Sequence, residues 1–116
     1  LISEIVGKKG FVYGVEIIKS LAKKSEKELK NYKNVKVYNK SGFDGLKEQA
    51  PFDRIFISAA LKEIPKAISE QLKEGGIFVA PVDDGSGSQD LIALQRKKDK
   101  FVVKDKRSGF VFVRFV

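Results

Sequence analysis

Acid and hydroxyl side chains stand at the points where predicted strands of this sequence end. Glu16 closes an apolar stretch over residues 11–16 and precedes a helical pattern. At that position of a nucleotide-binding fold, an acid can accept hydrogen bonds from two ribose hydroxyls. Alternatively, Glu16 is a surface residue near a helix N-terminus, where the helix dipole stabilises its charge. The residue pattern leaves both interpretations open.

A second candidate position follows the next predicted strand, over residues 35–38. Ser41 and Gly42 lie in its loop, where an adenine edge would lie if Glu16 held a ribose. The other interpretation is an ordinary turn that Asn39, Ser41 and Gly42 form, since these residue types favour turns. Both interpretations stay open.

A third candidate position is Ser58, which directly follows the apolar run 55–57 and precedes Ala59 and Ala60. Ligands of parallel α/β sheets gather outside the carboxyl ends of the strands, and Ser58 stands at such an end. Its hydroxyl either faces a ligand or belongs to a small residue that allows close packing. The two alanines add no chemistry but leave room.

The element that positions Ser58 is a predicted β-α-β unit over residues 51–82. The run 55–57 is apolar without alternation, which predicts a strand covered on both faces. Pro65 can begin the following helix, and Gly75-Gly76 can stop it in a left-handed conformation. One stripe of that helix carries Ile64, Ile68 and Leu72. Residues 77–82 then predict a parallel partner strand.

The flanking segments extend this pattern into an α/β sheet. Before the unit we predict a helix ending at Gly7, the strand 11–16, a helix from Ile17, the strand 35–38 and one helical turn within 43–50. The helix from Ile17 has one apolar face, made of Ile18, Leu21, Ala22, Ser25 and Leu29. After the β-α-β unit we predict a flexible acidic loop over residues 83–89. It is followed by short strands at 91–94, 101–103 and 110–116, with a turn at 97–100. Strands joined by turns without helices predict an antiparallel extension of the sheet.

The composition predicts a single domain over residues 1–116 and excludes several chemistries. The chain has no Cys and no His, so thiol chemistry, disulfides and Cys-based metal sites are excluded and the commonest general base is missing. The net charge is +8, but lysines and glutamates mix on one predicted helix face, which indicates a solvated surface rather than a nucleic-acid site. With no membrane-length apolar run and no signal peptide, we expect a cytoplasmic protein.

Several segments occur in a common order and spacing across nearly the whole chain. They include Val12-Tyr-Gly-Val-Glu16-Ile17, Ala50-Pro-Phe-Asp-Arg-Ile55, Ser58-Ala59-Ala60, Ile64-Pro65, Gln71-Leu-Lys-Glu-Gly-Gly76 and Val113-Arg-Phe-Val116. Together they resemble the protein-L-isoaspartate O-methyltransferase family. The resemblance implies an α/β fold with a Rossmann-like class I S-adenosylmethionine-dependent methyltransferase sheet, mostly parallel with an antiparallel C-terminal part.

The resemblance also implies a function, protein repair. Its cofactor would be S-adenosylmethionine, with no metal, and its substrates damaged proteins that contain L-isoaspartyl residues. The methyl ester then cyclises to a succinimide, whose hydrolysis returns some normal aspartate. By resemblance, Glu16 binds the cofactor ribose, Ile17 lines the adenine pocket with Ser41 and Gly42 beside it, and the methyl-transfer site is bordered by Ser58, Ala59 and Ala60.

The sequence departs from the family pattern in two ways. Lys40-Ser41-Gly42 stands where the family has Gly-Asp-Gly, so a hydroxyl replaces the carboxylate expected at the adenine. The glycine-rich first motif and its central strand would lie upstream of Leu1, so we expect a gap between the strands ending at Glu16 and at Ile57. We therefore expect residues 1–116 alone to be unfolded, aggregated or completed by another chain. Two alternatives are a non-catalytic binding module and a methyltransferase acting on another substrate such as RNA.

Overall fold

The computed structural model describes residues 1–116, which form two compact units, residues 1–42 and 43–116. The first unit contains α1 (Ile2–Val6), β1 (Val12–Val15), α2 (Lys19–Glu28) and β2 (Val35–Tyr38). The second contains β3 (Phe52–Phe56), α3 (Lys66–Gln71), β4 (Leu72–Asp83), β5 (Gln89–Lys97) and β6 (Lys100–Phe110). None of the three helices has the length and apolar composition of a membrane-spanning helix.

In the first unit, β1 and β2 pair in parallel, so both predicted strands are confirmed. The predicted helix end at Gly7 is also confirmed, because Gly7 follows α1 with a φ of 70°. The Asn34 side-chain amide donates to the carbonyl oxygens of Ser3 and Gly7, both at 3.1 Å. These bonds hold the end of α1 beside the start of β2.

The apolar face of α2 is less buried than the sequence predicted. Ala22 is 1% exposed, but Ile18 is 52% exposed and Leu21 is 45% exposed. A sheet of two strands covers only a narrow stripe of a helix, which accounts for the difference. The opposite face carries exposed lysines, among which Lys24 pairs with Glu28 at 3.8 Å.

The second unit is built on the predicted β-α-β unit, in which β3 and β4 pair in parallel. Its sheet has the order β3-β4-β5-β6, and β5 and β6 are antiparallel, as predicted. β1 and β3 belong to different sheets. The core of this unit consists of Ile57, Leu61, Ile68, Leu72, Phe78, Ala80 and Leu94.

The prediction that the strand at 55–57 is covered on both faces is wrong. Ile55 packs against the core, but Phe56 is 61% exposed. The reason is that successive side chains of a strand point to opposite faces, and the core to which α3 contributes Ile68 lies on the face of Ile55 and Ile57. An apolar run alone does not reveal which face a neighbour covers.

The predicted end of the central helix is also wrong. α3 ends at Gln71, Leu72 is already extended (φ −83°, ψ 133°), and Gly75, with a φ of 75°, lies in an irregular part of β4. Arg96 from β5 supplies the cap instead. Its Nη1 donates to the carbonyl oxygens of Ser69, Glu70 and Leu72, at 3.2, 3.2 and 2.5 Å. A guanidinium therefore satisfies the carbonyls at the end of α3, whereas the sequence predicted that Gly75 and Gly76 would end this helix.

Residues 43–50 form hydrogen-bonded turns that contain one i to i+4 bond, from the Ala50 N–H to the Leu46 carbonyl at 3.1 Å. The buried side chain of Gln71 organises them, because it accepts from the Leu46 N–H at 2.8 Å and donates to the Asp44 carbonyl at 2.9 Å. Gly45 has a φ of 59°, and a Cβ there would lie 2.1 Å from Gln71 Oε1. Only glycine fits this position.

The predicted final strand at 110–116 is wrong as well. β6 extends from Lys100 to Phe110, with two register shifts against β5, after a turn at 98–99 that confirms the predicted turn. Residues 111–116, hereafter the C-terminal segment, lie outside the sheet. On β5 and β6, Asp90 pairs with Lys106 at 2.8 Å, and that hydrogen bond lowers the pKa of Asp90.

Candidate functional site

The carboxyl ends of β1 and β2 place Glu16 beside Asn39. Val15 is in register with Tyr38, and the Glu16 N–H donates to the Tyr38 carbonyl at 3.0 Å. The Asn39 amide then donates to the carbonyl oxygens of Glu16 and Ile17, at 2.8 and 3.0 Å. Asn39 therefore holds the turn between β1 and α2, a role that its position in a predicted loop did not indicate.

The carboxylate of Glu16 contacts the start of α2. Its Oε1 accepts from the Ile18 N–H at 2.8 Å, as expected for an acid near a helix N-terminus. An ionised carboxylate has about four acceptor positions, so this bond leaves capacity for further donors. Glu16, Ser41 and Gly42 are partly buried, whereas Ile17 is 46% exposed.

The first unit also has a concavity at the other end of β2. Its lining comes from the end of α2 and the following residues, and from the start of β2, and includes Leu29, Tyr32, Val35 and Val37. None of the sequence-predicted site residues lines it. It is therefore separate from the carboxyl-end cluster around Glu16.

In the second unit, the predicted residues Ser58, Ala59 and Ala60 follow β3, and the chain bends at Ala59. The Ile57 N–H donates to Val79 O and the Leu61 N–H donates to Pro81 O, both at 2.9 Å, so the chain leaves β4 between these two bonds. Ser58 is exposed, Ala59 is partly buried and Ala60 is 6% exposed. We call residues 58–60 the β3 turn.

The C-terminal segment pairs with the β3 turn. The Ala60 N–H donates to the Val113 carbonyl at 2.6 Å, and the Phe115 N–H donates to the Ala60 carbonyl at 2.9 Å. The Phe115 ring also packs against Phe43, with 4.7 Å between ring centroids. The closing motif thus contacts a candidate site that lies far from it in sequence. The resemblance named both segments, but periodicity did not connect them.

A buried glutamine connects the C-terminal segment to the loop after β4. Gln89 is 6% exposed; its Nε2 donates to Asp83 Oδ1 at 2.9 Å, and its Oε1 accepts from the Phe112 N–H at 2.7 Å. The sequence placed Asp83 and Gln89 only as the ends of an acidic loop. Within that loop, hydrogen bonds from Ser86 lower the pKa of Asp84.

Three comparisons identify the relatives of this chain. The family model for Protein-L-isoaspartate(D-aspartate) O-methyltransferase matches residues 1–116. A protein of that name from Methanosarcina mazei is 41% identical over 118 residues, covering 100% of this chain and 48% of the relative. Another from Methanococcus aeolicus is 45% identical over 107 residues, covering 90% of this chain and 49% of the relative. The chain spans about half the length of these curated relatives.

Solved structures agree with the sequence comparisons. A protein-L-isoaspartate O-methyltransferase matches with a TM-score of 0.91 and 27% identity, over 97% of this chain and 36% of the other. A Plasmodium falciparum protein, described as a candidate enzyme of this kind in complex with S-adenosyl-L-homocysteine, matches with a TM-score of 0.80 and 25% identity, over 94% of this chain and 54% of the other. These likenesses confirm the predicted Rossmann-like α/β fold.

Proposed function

We propose a function from the premise that this chain belongs to the protein-L-isoaspartate O-methyltransferase family. The protein that carries it transfers a methyl group from S-adenosylmethionine to the carboxyl group of L-isoaspartyl residues in damaged proteins. The observation that carries this proposal is the family match, which extends over residues 1–116. We further propose that the protein acts in the cytoplasm and that residues 1–116 belong to one methyltransferase domain.

The chemistry needs positioning more than proton transfer. When bound, S-adenosylmethionine would supply an electrophilic methyl group. The nucleophile is the carboxylate of the substrate, which is ionised near neutral pH because its pKa lies at about 4. The protein residues therefore need to bind, orient and exclude water rather than remove a proton. This requirement is compatible with a sequence that contains neither His nor Cys.

The residues at the carboxyl ends of β1 and β2 fit the cofactor. Glu16 accepts one hydrogen bond from the Ile18 N–H and can accept more from ribose hydroxyls. The exposed side chain of Ile17 would contact the adenine face. Ser41 and Gly42 would lie at the adenine edge, where the Ser41 hydroxyl replaces the carboxylate expected by resemblance. We propose all four as cofactor-binding residues.

The β3 turn is the proposed border of the methyl-transfer site. Ser58 is exposed and offers a hydroxyl, and Ala59 is small enough to leave space for a substrate carboxylate. Ala60 is anchored by its two backbone hydrogen bonds to the C-terminal segment. We propose that Ser58 contacts the substrate and that the two alanines shape its surroundings.

The experiment is a methyl-transfer assay on the natural protein that contains this sequence. It uses radiolabelled S-adenosylmethionine and two peptides that differ only in one residue, L-isoaspartate or normal L-aspartate. We expect transfer to the isoaspartyl peptide and none to the aspartyl peptide. A matched peptide with asparagine at that position measures the background.

Equal transfer to the isoaspartyl and aspartyl peptides would contradict the repair function and indicate a less selective carboxyl methyltransferase. No transfer to either peptide, with S-adenosyl-L-homocysteine still bound, would indicate action on another substrate. No transfer and no binding would favour a non-catalytic module. Each result therefore separates the proposed function from one of its alternatives.

A further inference from the structure

Gln89 makes two different hydrogen bonds at the two ends of one amide. Its nitrogen donates to the Asp83 carboxylate at 2.9 Å, and its oxygen accepts from the Phe112 N–H at 2.7 Å. Among side chains of this shape, only an amide both donates to a carboxylate and accepts from a backbone N–H at neutral pH. Glutamate cannot make the first bond unless a carboxyl group is protonated, and leucine can make neither.

These two bonds belong to a closed circuit that includes the β3 turn. The Asp83 N–H donates to the Leu61 carbonyl at 2.8 Å, and Leu61 follows Ala60 in the chain. The Ala60 N–H donates to the Val113 carbonyl at 2.6 Å, and Val113 follows Phe112, whose N–H returns to Gln89. The circuit joins the end of β4, the β3 turn and the C-terminal segment.

The circuit depends strongly on Gln89, because that residue is 6% exposed. A buried polar group that loses its partner keeps the cost of desolvation without the compensating bond. If Gln89 could not reach Asp83 or Phe112, the C-terminal segment would keep its bonds to Ala60 and its continuity with β6, but it would lose the side-chain bond that fixes Phe112 to β5. The β3 turn would then be held by Leu61 and β4 on one side and, on the other, by a C-terminal segment that Gln89 no longer fixes.

We propose that Gln89 and Asp83 are positioning residues for methyl transfer, which hold the β3 turn against the C-terminal segment so that a substrate carboxylate meets Ser58 and Ala59 in a fixed geometry. This inference rests on the proposed function. Neither residue touches the reacting atoms in this arrangement; both act through the backbone of Leu61 and of the C-terminal segment.

The main test is the near-isosteric variant Gln89→Glu. Its carboxylate still accepts from Phe112, but it faces the Asp83 carboxylate without a proton to share. We expect the KM for an isoaspartyl peptide to rise about tenfold, the scale of one lost buried hydrogen bond. The Kd for S-adenosyl-L-homocysteine is expected to stay within about twofold, a change too small to reflect a lost hydrogen bond.

A second variant reverses the polarity of the pair. In Gln89→Glu with Asp83→Asn, the Asn amide donates to the Glu carboxylate, which restores the circuit, and the KM is expected to return toward that of the natural protein. In Gln89→Glu alone, lowering the pH is expected to restore the KM partly, because a carboxyl group then holds a proton and can donate. Gln95→Glu is the matched control on β5, since the side chain of Gln95 donates to the Gly75 carbonyl, at 3.1 Å, and lies outside the circuit.

Amide hydrogen exchange of Ala60 and Phe115 separates this inference from the proposed function. We expect faster exchange in Gln89→Glu and recovery in the double variant, whichever substrate the protein uses. An unchanged KM and unchanged exchange in Gln89→Glu would overturn the inference, as would a double variant that is no better than the single one. If the natural protein transfers no methyl group, the proposed function fails, and exchange alone decides whether the pair holds the turn.

Discussion

Glu16 has two interpretations that a pair of substitutions can separate. As a helix-start residue, it accepts from the Ile18 N–H at 2.8 Å. As a cofactor ligand, it would also accept from ribose hydroxyls. Glu16→Gln keeps a side-chain carbonyl oxygen for Ile18 but removes the negative charge, whereas Glu16→Ala removes both. The two variants therefore change the helix contact and the proposed ligand contact to different extents.

The expected magnitudes follow from these contacts. Glu16→Ala loses the hydrogen bond to Ile18 and is expected to lower the free energy of unfolding by about 0.5–1.5 kcal/mol, the range for one hydrogen bond. It is also expected to weaken cofactor binding by about 1–3 kcal/mol, roughly 5- to 150-fold in Kd. Charge-assisted bonds are about twice as strong as neutral ones, so Glu16→Gln is expected to lose about half of that binding free energy, about 0.5–1.5 kcal/mol. Its stability is expected to change by less than about 0.5 kcal/mol.

Isothermal titration calorimetry with S-adenosyl-L-homocysteine measures the affinity, and urea unfolding of the same samples measures the stability. Glu28→Gln is the matched control, because Glu28 is exposed on α2 and pairs only with Lys24 at 3.8 Å. We expect the control to leave the Kd unchanged. An exposed ion pair of this kind contributes about 0–1 kcal/mol to stability.

A specific pattern would refute the ligand role. If Glu16→Ala lowers stability but leaves the Kd unchanged, Glu16 serves only the start of α2. If Glu16→Gln and Glu16→Ala weaken binding equally while both are destabilised, the loss of affinity reflects a disturbed turn rather than a lost ligand bond. Only a graded loss of affinity, with the stability of Glu16→Gln preserved, supports direct contact with the ribose.

Three further predictions concern stability. Arg96→Met is expected to lower the free energy of unfolding by about 1–3 kcal/mol, with Arg96→Lys less affected, because the guanidinium caps α3; urea unfolding measures both. Gly45→Ala is expected to cost at least about 1–3 kcal/mol, since its Cβ would meet Gln71 at a positive φ; Gly85→Ala, with a positive φ in open space, is the control for the clash. The hydrogen bond from Lys106 lowers the pKa of Asp90 in the folded state. The contribution of this bond to folding stability is therefore present above the unfolded-state pKa of Asp90 and is lost as the pH falls through its folded-state pKa. Asp90→Asn is expected to flatten the acid side of the curve of stability against pH, and an unchanged curve would contradict this role.

Local patterns predicted the elements that depend on neighbouring residues. The strands at 12–15 and 35–38, the β-α-β order and the turn before Lys100 were all readable from apolar runs, glycines and turn residues. The boundaries that depend on distant residues were not. α3 ends at Gln71 because Arg96, 25 residues further along the chain, binds its final carbonyls, and no pattern near Gln71 indicates that contact.

The candidate site divides in the same way. The sequence predicted which residues stand at the ends of β1, β2 and β3, because apolar runs show where strands end. It also carried the motifs of the family. Only the tertiary structure placed Asn39 against the backbone of Glu16 and Ile17, since that contact depends on the parallel register of β1 and β2.

The C-terminal segment shows the physical reason most clearly. It consists of β-branched and aromatic residues apart from Arg114, a composition compatible with a strand, and the sequence alone predicted one. Whether such a segment joins a sheet depends on which hydrogen-bonding groups lie nearby, and here these are the backbone of Ala60 and the side-chain amide of Gln89. Local sequence determines what a segment can pair with, whereas the fold decides which partners are within hydrogen-bonding distance.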